Sequence, residues 1–192
     1  MSWKNDQVSE KETKRIIDLA RKAVEVEGDF VEMGCYKGDT SLLLAEVLRD
    51  YNTGVEKPVK KLWIYDSFEG LPKKSEEDNS VLGENFKSGE LFVTKREVKN
   101  RFLRAGLPVP VIKKAWFSEL GPDDLPCKIA FSFLDGDFYE SIKESLKLII
   151  PRMSEGGVLI VHDYTNPALP GVCRAVDEVL SNGLANFEMV LL

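Results

Sequence analysis

With 192 residues, 43% of them hydrophobic and 30% charged, the chain holds enough apolar material for one globular domain with a sizeable core. A formal net charge of -6 argues against a nucleic-acid partner, and no apolar run approaches the ~20 residues of a membrane span. The polar start MSWKNDQVSEKETKR does not read as a secretory signal, and Cys35, Cys127 and Cys173 form no CxxC pair, so buried free thiols in a reducing cytoplasm are expected.

Across 10–27, apolar residues fall at Ile16, Ile17, Ala20, Ala23 and Val24, the spacing of one helix face, which predicts an N-terminal helix within 1–27. DFVEMG follows as a short strand. The turn GCYKGDT then leads into a helix over SLLLAEVLRDY, with Asp39 or Thr40 as its N-cap. The charged loop NTGVEKPVKK runs to a second strand, LWIYD. Residues 67–90 are polar and rich in turn formers, and read as a lid-like surface loop. A helix over 91–105 stops at Gly106, with Pro108 just beyond. VPVIKKAWF, IAFSFLD, GGVLIVHD and NFEMVLL are the third to sixth strands. Helices over YESIKESLKLIIPRM and GVCRAVDEVLSNG precede the fifth and sixth.

This alternation predicts a single α/β domain over 1–192. It should be a Rossmann-like, doubly wound, mostly parallel sheet of six or seven strands with helices on both faces. Sheets of this type bind ligands at the carboxyl ends of their strands. The first strand ends in EMGCYKG. Glu32 is its last acid, and Gly34 and Gly38 let backbone approach a ligand at a helix N-terminus. Tyr36 breaks the dinucleotide fingerprint GxGxxG. Asp66, ending the second strand, can accept from two ribose hydroxyls or cap the next turn. Phe68 can cover an adenine or anchor the lid. Trp116 and Phe117 have the same choice between adenine and core.

The fourth strand ends in Asp135, with Asp137 two residues on, where helix capping would also explain it. The fifth ends in VLIVHDYT, with His162, the chain's only histidine, and Asp163. A single-helix crossover makes these strands neighbours, ~4.8 Å apart. Asp135 and Asp163 then lie side by side, with Asp137 and His162 close. Packed carboxylates call for a hard divalent cation such as magnesium. Without one, some acids cap helices and the rest face solvent.

Read together, the segments GDFVEMGCYKGDTSLLLAEVL, LWIYDSFEGLP, AGLPVPVIKKAWFSEL, IAFSFLDGDFYES, GGVLIVHDY and CRAVDEVL resemble a class I S-adenosylmethionine-dependent methyltransferase. More narrowly they resemble the macrocin O-methyltransferase family, which methylates sugar hydroxyls in antibiotic biosynthesis. The resemblance implies that Glu32, Gly34 and Gly38 cradle the methionine part of the cofactor, with Cys35, Tyr36, Thr40 and Ser41 in the same site. Asp66 would hold the ribose, beside Ser67 and Phe68, and Trp116 and Phe117 would border the adenine. Asp135, also near the cofactor, would bind magnesium with His162 and Asp163. Asp137 or His162 would be the general base, Asp137 preferred.

The acceptor implied is a small-molecule hydroxyl of a sugar diol or a catechol-like ring, and self-association is compatible with the family. His162 departs from it, because an aspartate is common at that position. The family also usually has a longer N-terminal region, and class I sheets usually have seven strands. Two rivals stand beside this reading: a non-catalytic S-adenosylmethionine-binding protein, and a nicotinamide-dependent oxidoreductase, which the missing GxGxxG disfavours. His162 itself is open between metal ligand, base and a structural imidazole bonded to a neighbour.

Overall fold

Helix α1 (Glu10–Ala23) starts at a capping box, in which Ser9 Oγ accepts from Glu12 N–H and the Glu12 carboxylate accepts from Ser9 N–H. The computed structural model describes residues 7–53, 59–84, 86–180 and 187–192. The polar residues 1–6, the middle of NTGVEKPVKK, Asn85 in the proposed lid, the SNG ending of the last predicted helix and Asn186 lie outside the described residues.

The elements that follow α1 are β1 (Asp29–Met33), α2 (Asp39–Asn52), β2 (Leu62–Asp66), α3 (Lys95–Ala105), β3 (Val111–Lys114), β4 (Ile129–Leu134), α4 (Tyr139–Ile149), β5 (Met153–Val161), α5 (Pro170–Leu180) and β6 (Glu188–Leu191). The described strands form one six-stranded sheet, order β3-β2-β1-β4-β5-β6, with every pair parallel. It is the Rossmann-like, doubly wound sheet that the alternation predicts. None of the described helices is long and apolar enough to cross a membrane.

Side-chain alternation along the strands divides the core in two. Phe30, Phe131, Phe133, Val158 and Ile160 pack with α1, α2 and α3 on one face. Val31, Met33, Leu134, Leu159 and Val161 pack with α4 and α5 on the other. All six residues of β4 are buried, as expected of a central strand covered on both sides.

Several boundaries differ from the predicted ones, each for a local reason. α1 ends at Ala23 with Val24 as C-cap, because the chain must turn to bring Gly28 against the Lys128 carbonyl. A Cβ at Gly28 would sit 2.6 Å from that oxygen, and its φ is +116°. α2 takes Gly38 as N-cap, in the left-handed region, so neither Asp39 nor Thr40 caps it. α3 begins at Lys95, not at position 91, because Thr94 and Glu97 form a capping box that fixes its start. β3 stops at Lys114, and Trp116 N–H turns to the Glu119 carboxylate at 2.9 Å. α4 gives way at Pro151 to a short 3-10 turn. Of the three thiols, all free, only Cys35 is buried. Cys127 is exposed and Cys173 half-buried, so burial of all three is corrected.

Candidate active site

The carboxyl ends of β1, β2, β4 and β5 open onto a cavity of about 490 Å³. Its floor is the turn after β1. Gly34 has φ +89°, and an added Cβ would collide with the Asp135 carbonyl, so only glycine lets the two strand ends approach this closely. Gly34 N–H donates to Tyr65 O and Asp135 N–H to Met33 O, each at 2.9 Å. The ends of β1, β2 and β4 are thereby fixed to one another.

Asp66 braces the same turn. Its Oδ2 accepts from Cys35 N–H at 2.9 Å and Tyr36 N–H at 3.3 Å, and its Oδ1 accepts from Phe68 N–H at 2.7 Å. A carboxylate offers about four acceptor positions. Three of them hold backbone here, and Asp66 still lines the cavity. Cys35, Tyr36, Ser67, Trp116 and Phe117 line it as well. Phe117 lies against Gly136, between the two aspartates that follow β4.

Five predicted residues sit outside the cavity wall. Glu32 points into the core between the sheet and α2, where the Ser41 hydroxyl donates to it. Burial pushes the Glu32 carboxyl up to about 8, against the pull of Ser41 and with help from Asp135, Asp66 and Asp39. Thr40 and Ser41 are buried in the first turn of α2, and Gly38 caps it. Phe68 is core, 3% exposed, packed on the α1–α3 face.

The strand ends of β4 and β5 are adjacent, with Leu134 opposite Val161, and they carry the acids. His162 Nδ1 lies 3.1 Å from Asp135 Oδ1 and 3.0 Å from Asp163 Oδ2. Burial disfavours the charged imidazole, but the two carboxylates outweigh it and hold its pKa up at about 11. Its Nδ1 thus lies within hydrogen-bond reach of both acids. Asp163 is held below the usual carboxylate range: its burial is overcome by His162 and by Asn166, whose amide donates at 2.8 Å. Burial, followed by the charges of Asp135 and Asp163, pushes the Asp137 carboxyl well above that range. One donor atom from each of Asp135, His162 and Asp163 lies within 4.8 Å of the others, a set that fits a divalent ion.

Backbone strain gathers at the same place. The non-glycine residues with positive φ among the described residues are Tyr36, Phe68, Leu91, Asp137 and Asp163. Four of them line the cavity and the fifth follows Ser67, which does. Each such residue costs on the order of 1 kcal/mol or more and persists only where its surroundings over-determine it.

Sequence reasoning missed one wall and one cap. Leu71, Pro72, Lys73 and Phe86 form a wall from the 67–90 loop, and Glu140, Ser141 and Glu144 of α4 line the same cavity. Asp137 does not cap α4: the N-cap is Phe138, and no side chain of that residue bonds the helix. The carboxylate that accepts from Tyr139 N–H, at 2.7 Å, belongs to Asp78 of the loop. The spacing of Ser75 and Asp78 is a capping-box pattern that sequence could have flagged, but its reach to Tyr139 has no local signal.

Known proteins share this architecture and up to a third of the aligned sequence. The profile of the family Macrocin-O-methyltransferase (TylF) matches residues 11–183. The 8-demethyl-8-(2,3-dimethoxy-alpha-L-rhamnosyl)-tetracenomycin-C 4'-O-methyltransferase of Streptomyces olivaceus is 33% identical over 144 residues, 72% of this chain and 54% of that protein. Demethyldecarbamoylnovobiocin O-methyltransferase of Streptomyces niveus is 30% identical over 158 residues, 80% of this chain and 58% of that one. The chain therefore spans little more than half the length of these curated relatives. Among solved structures, the O-methyltransferase NovP superposes with a TM-score of 0.77 at 28% identity, covering 90% of this chain and 72% of that one. The calicheamicin methyltransferase CalS11 gives 0.73 at 21%, covering 88% and 70%, a likeness of fold. The profile match over most of the sequence, on a sheet of the same kind, shows that the chain belongs to the macrocin O-methyltransferase (TylF) family.

Proposed function

We propose that the chain is an S-adenosylmethionine-dependent O-methyltransferase whose acceptor is a hydroxyl of a small sugar diol or catechol-like molecule. One observation carries this reading. A single cavity gathers the glycine turn, the Asp66 brace, the Trp116–Phe117 wall and the acids of β4 and β5. The tetracenomycin relative, whose name gives it a rhamnosyl-bearing acceptor and a 4'-O-methyl transfer, supports the acceptor class.

In this reading the turn at Gly34–Tyr36 receives the methionine end of the cofactor, and the remaining acceptor position of Asp66 receives the ribose. Trp116 and Phe117 border the adenine. Methyl transfer from a sulfonium has a good neutral leaving group, so the cavity acts chiefly by positioning the acceptor and removing its proton. Asp137 takes that proton. Its crowded carboxyl has a high proton affinity, and positive charge entering the cavity favours the ionised form that a base needs. Asp135, His162 and Asp163 would hold a magnesium ion, which when bound lowers the pKa of a coordinated hydroxyl. His162 must lose its Nδ1 proton to ligate through that atom.

A second reading is a protein that binds the cofactor without turnover. The observation favouring it is the His162 ring seated between Asp135 and Asp163, where a protonated imidazole offsets part of their charge without a metal. Calorimetry with S-adenosylmethionine tests both readings, with sub-millimolar binding expected. Formation of S-adenosylhomocysteine with a panel of sugars and catechols separates them. No cofactor binding at that level would reject both.

A further inference from the structure

Asp78 belongs to the polar run SEEDNS, yet it is only 2% exposed. A carboxyl taken out of water must be compensated by donors. Its Oδ2 accepts from the N–H and the hydroxyl of Ser75, both at 2.9 Å, which closes the 3-10 turn Glu76–Asp78. Its Oδ1 accepts from Tyr139 N–H, the first residue of α4 and 61 positions away in sequence. The helix has no other side-chain cap, because its N-cap residue is a phenylalanine. Gly171, at the start of α5, makes the room: a Cβ there would collide with Asp78 Oδ1 and lie 2.9 Å from Tyr139 N.

Further anchors run from the same loop. Arg174 of α5 donates to Glu77 O at 3.0 Å, and Ser80 Oγ donates to Pro167 O at 2.9 Å. Lys74 donates to Gly83 O and sits 5.6 Å from the centre of the Phe138 ring. The segments gripped are those that present the acids. Phe138 and Tyr139 follow Asp137 directly. Pro167 follows Asn166, whose amide holds Asp163. The gripping segment also supplies the cavity wall at Leu71, Pro72 and Lys73.

We propose that Asp78 is a positioning residue: it ties the loop that carries the cavity wall at Leu71, Pro72 and Lys73 to the turn that presents Asp137, so that ligand binding and acid placement depend on one carboxylate. The kinetic part of this inference rests on the methyltransferase reading above. The structural part does not.

The experiment compares four variants of the full chain by amide hydrogen exchange, S-adenosylhomocysteine calorimetry and steady-state kinetics. Asp78→Ala removes all three hydrogen bonds. Exchange at Tyr139 and across 72–84 should accelerate while β1 and β4 stay protected. The dissociation constant for S-adenosylhomocysteine should rise about tenfold or more, and kcat should fall by a similar factor at saturating cofactor. Asp78→Asn keeps one accepting oxygen and should fall between. Ser75→Ala loosens the loop turn but spares the Tyr139 bond, so its kcat should stay within about threefold of wild type.

Gly171→Ala displaces the Asp78 carboxylate without removing it and should reproduce the Asp78→Asn pattern. Should Asp78→Ala fail to fold, Asp78→Asn and Gly171→Ala decide the matter. Exchange that rises uniformly through β1 and β4, or ligand affinity and kcat that stay at wild-type values in Asp78→Asn and Gly171→Ala, would overturn the proposal. If the wild-type chain binds no S-adenosylhomocysteine, the functional reading fails separately. The exchange data then still decide whether Asp78 joins loop to helix: a local rise at Tyr139 and 72–84 upholds that link, and its absence rejects it.

Discussion

Glu32→Gln should gain stability relative to the wild type as the pH rises from 5 to 9. The side chain is 1% exposed and its carboxyl titrates at about 8, against an ordinary value of 4.5. A group whose folded pKa is raised contributes stability that is fully present below the unfolded value. That contribution is lost as pH rises through the folded value. The window for Glu32 is therefore pH 4.5 to about 8. Each pH unit in that window is worth about 1.36 kcal/mol, so ionising the buried carboxyl costs the wild-type fold up to ~5 kcal/mol by pH 9.

Glutamine can still accept from Ser41, and the cost of burying its NH₂ group does not vary with pH. The difference between the two proteins at pH 9, minus that at pH 5, isolates the ionisation. For a chain of this size it corresponds to roughly 10 °C in melting temperature. Scanning calorimetry of both proteins at pH 5, 7 and 9 measures it. Parallel pH profiles would refute the reasoning, because they would mean that Glu32 ionises in the fold as easily as in the open chain.

The remaining predictions concern the cavity and the core. His162→Asp, without added metal, should lose about 2 kcal/mol, because a third carboxylate replaces the imidazolium between Asp135 and Asp163. Millimolar magnesium should restore much of that loss, as read by thermal shift with and without the ion. Asp66→Asn turns an N–H₂ toward backbone donors at Cys35, Tyr36 or Phe68, and should weaken S-adenosylhomocysteine binding at least about tenfold by calorimetry. Ser132 is fully buried in β4 and its hydroxyl has no hydrogen-bond partner among the described residues. Ser132→Ala should therefore raise stability by about 1 kcal/mol in chemical denaturation.

Local pattern carried the fold because the central strands β1, β4 and β5 end in mostly apolar runs closed by a polar residue or glycine. The meeting of Asp135 and His162–Asp163 followed from one crossover rule, and the register of β4 on β5 shows that meeting. What local pattern could not supply were bonds between distant positions. Asp66 binds backbone 30 and 31 residues away, which turns an expected ribose acceptor into a brace as well. Asp78 caps a helix from another loop, so Asp137 had no need to. Glu32 was misplaced for a different reason. Alternation puts it on the same face as Phe30, toward α2, while its position at a strand end suggested the cavity. Pattern at 91–93 extended α3 too far, because a capping box at Thr94 outweighs apolar spacing in setting where a helix starts.

His162 links the charge balance of the site to its backbone strain. Asp137 and Asp163 hold left-handed backbone that aspartate adopts only at a cost, and both lie within reach of the imidazolium. Three carboxylates drawn to one sheet edge would repel one another, and that repulsion would add to the strain. A cation supplied by the chain itself removes part of it before any ligand arrives. Asp135 and Asp163 both contact the His162 ring directly, whereas Asp137 senses it only at a distance, and burial pushes its carboxyl well above the usual range. On the proposed reading, the arrangement separates the roles of chemically identical groups: Asp135 and Asp163 pair with a positive partner, and Asp137 is left to exchange a proton with the acceptor.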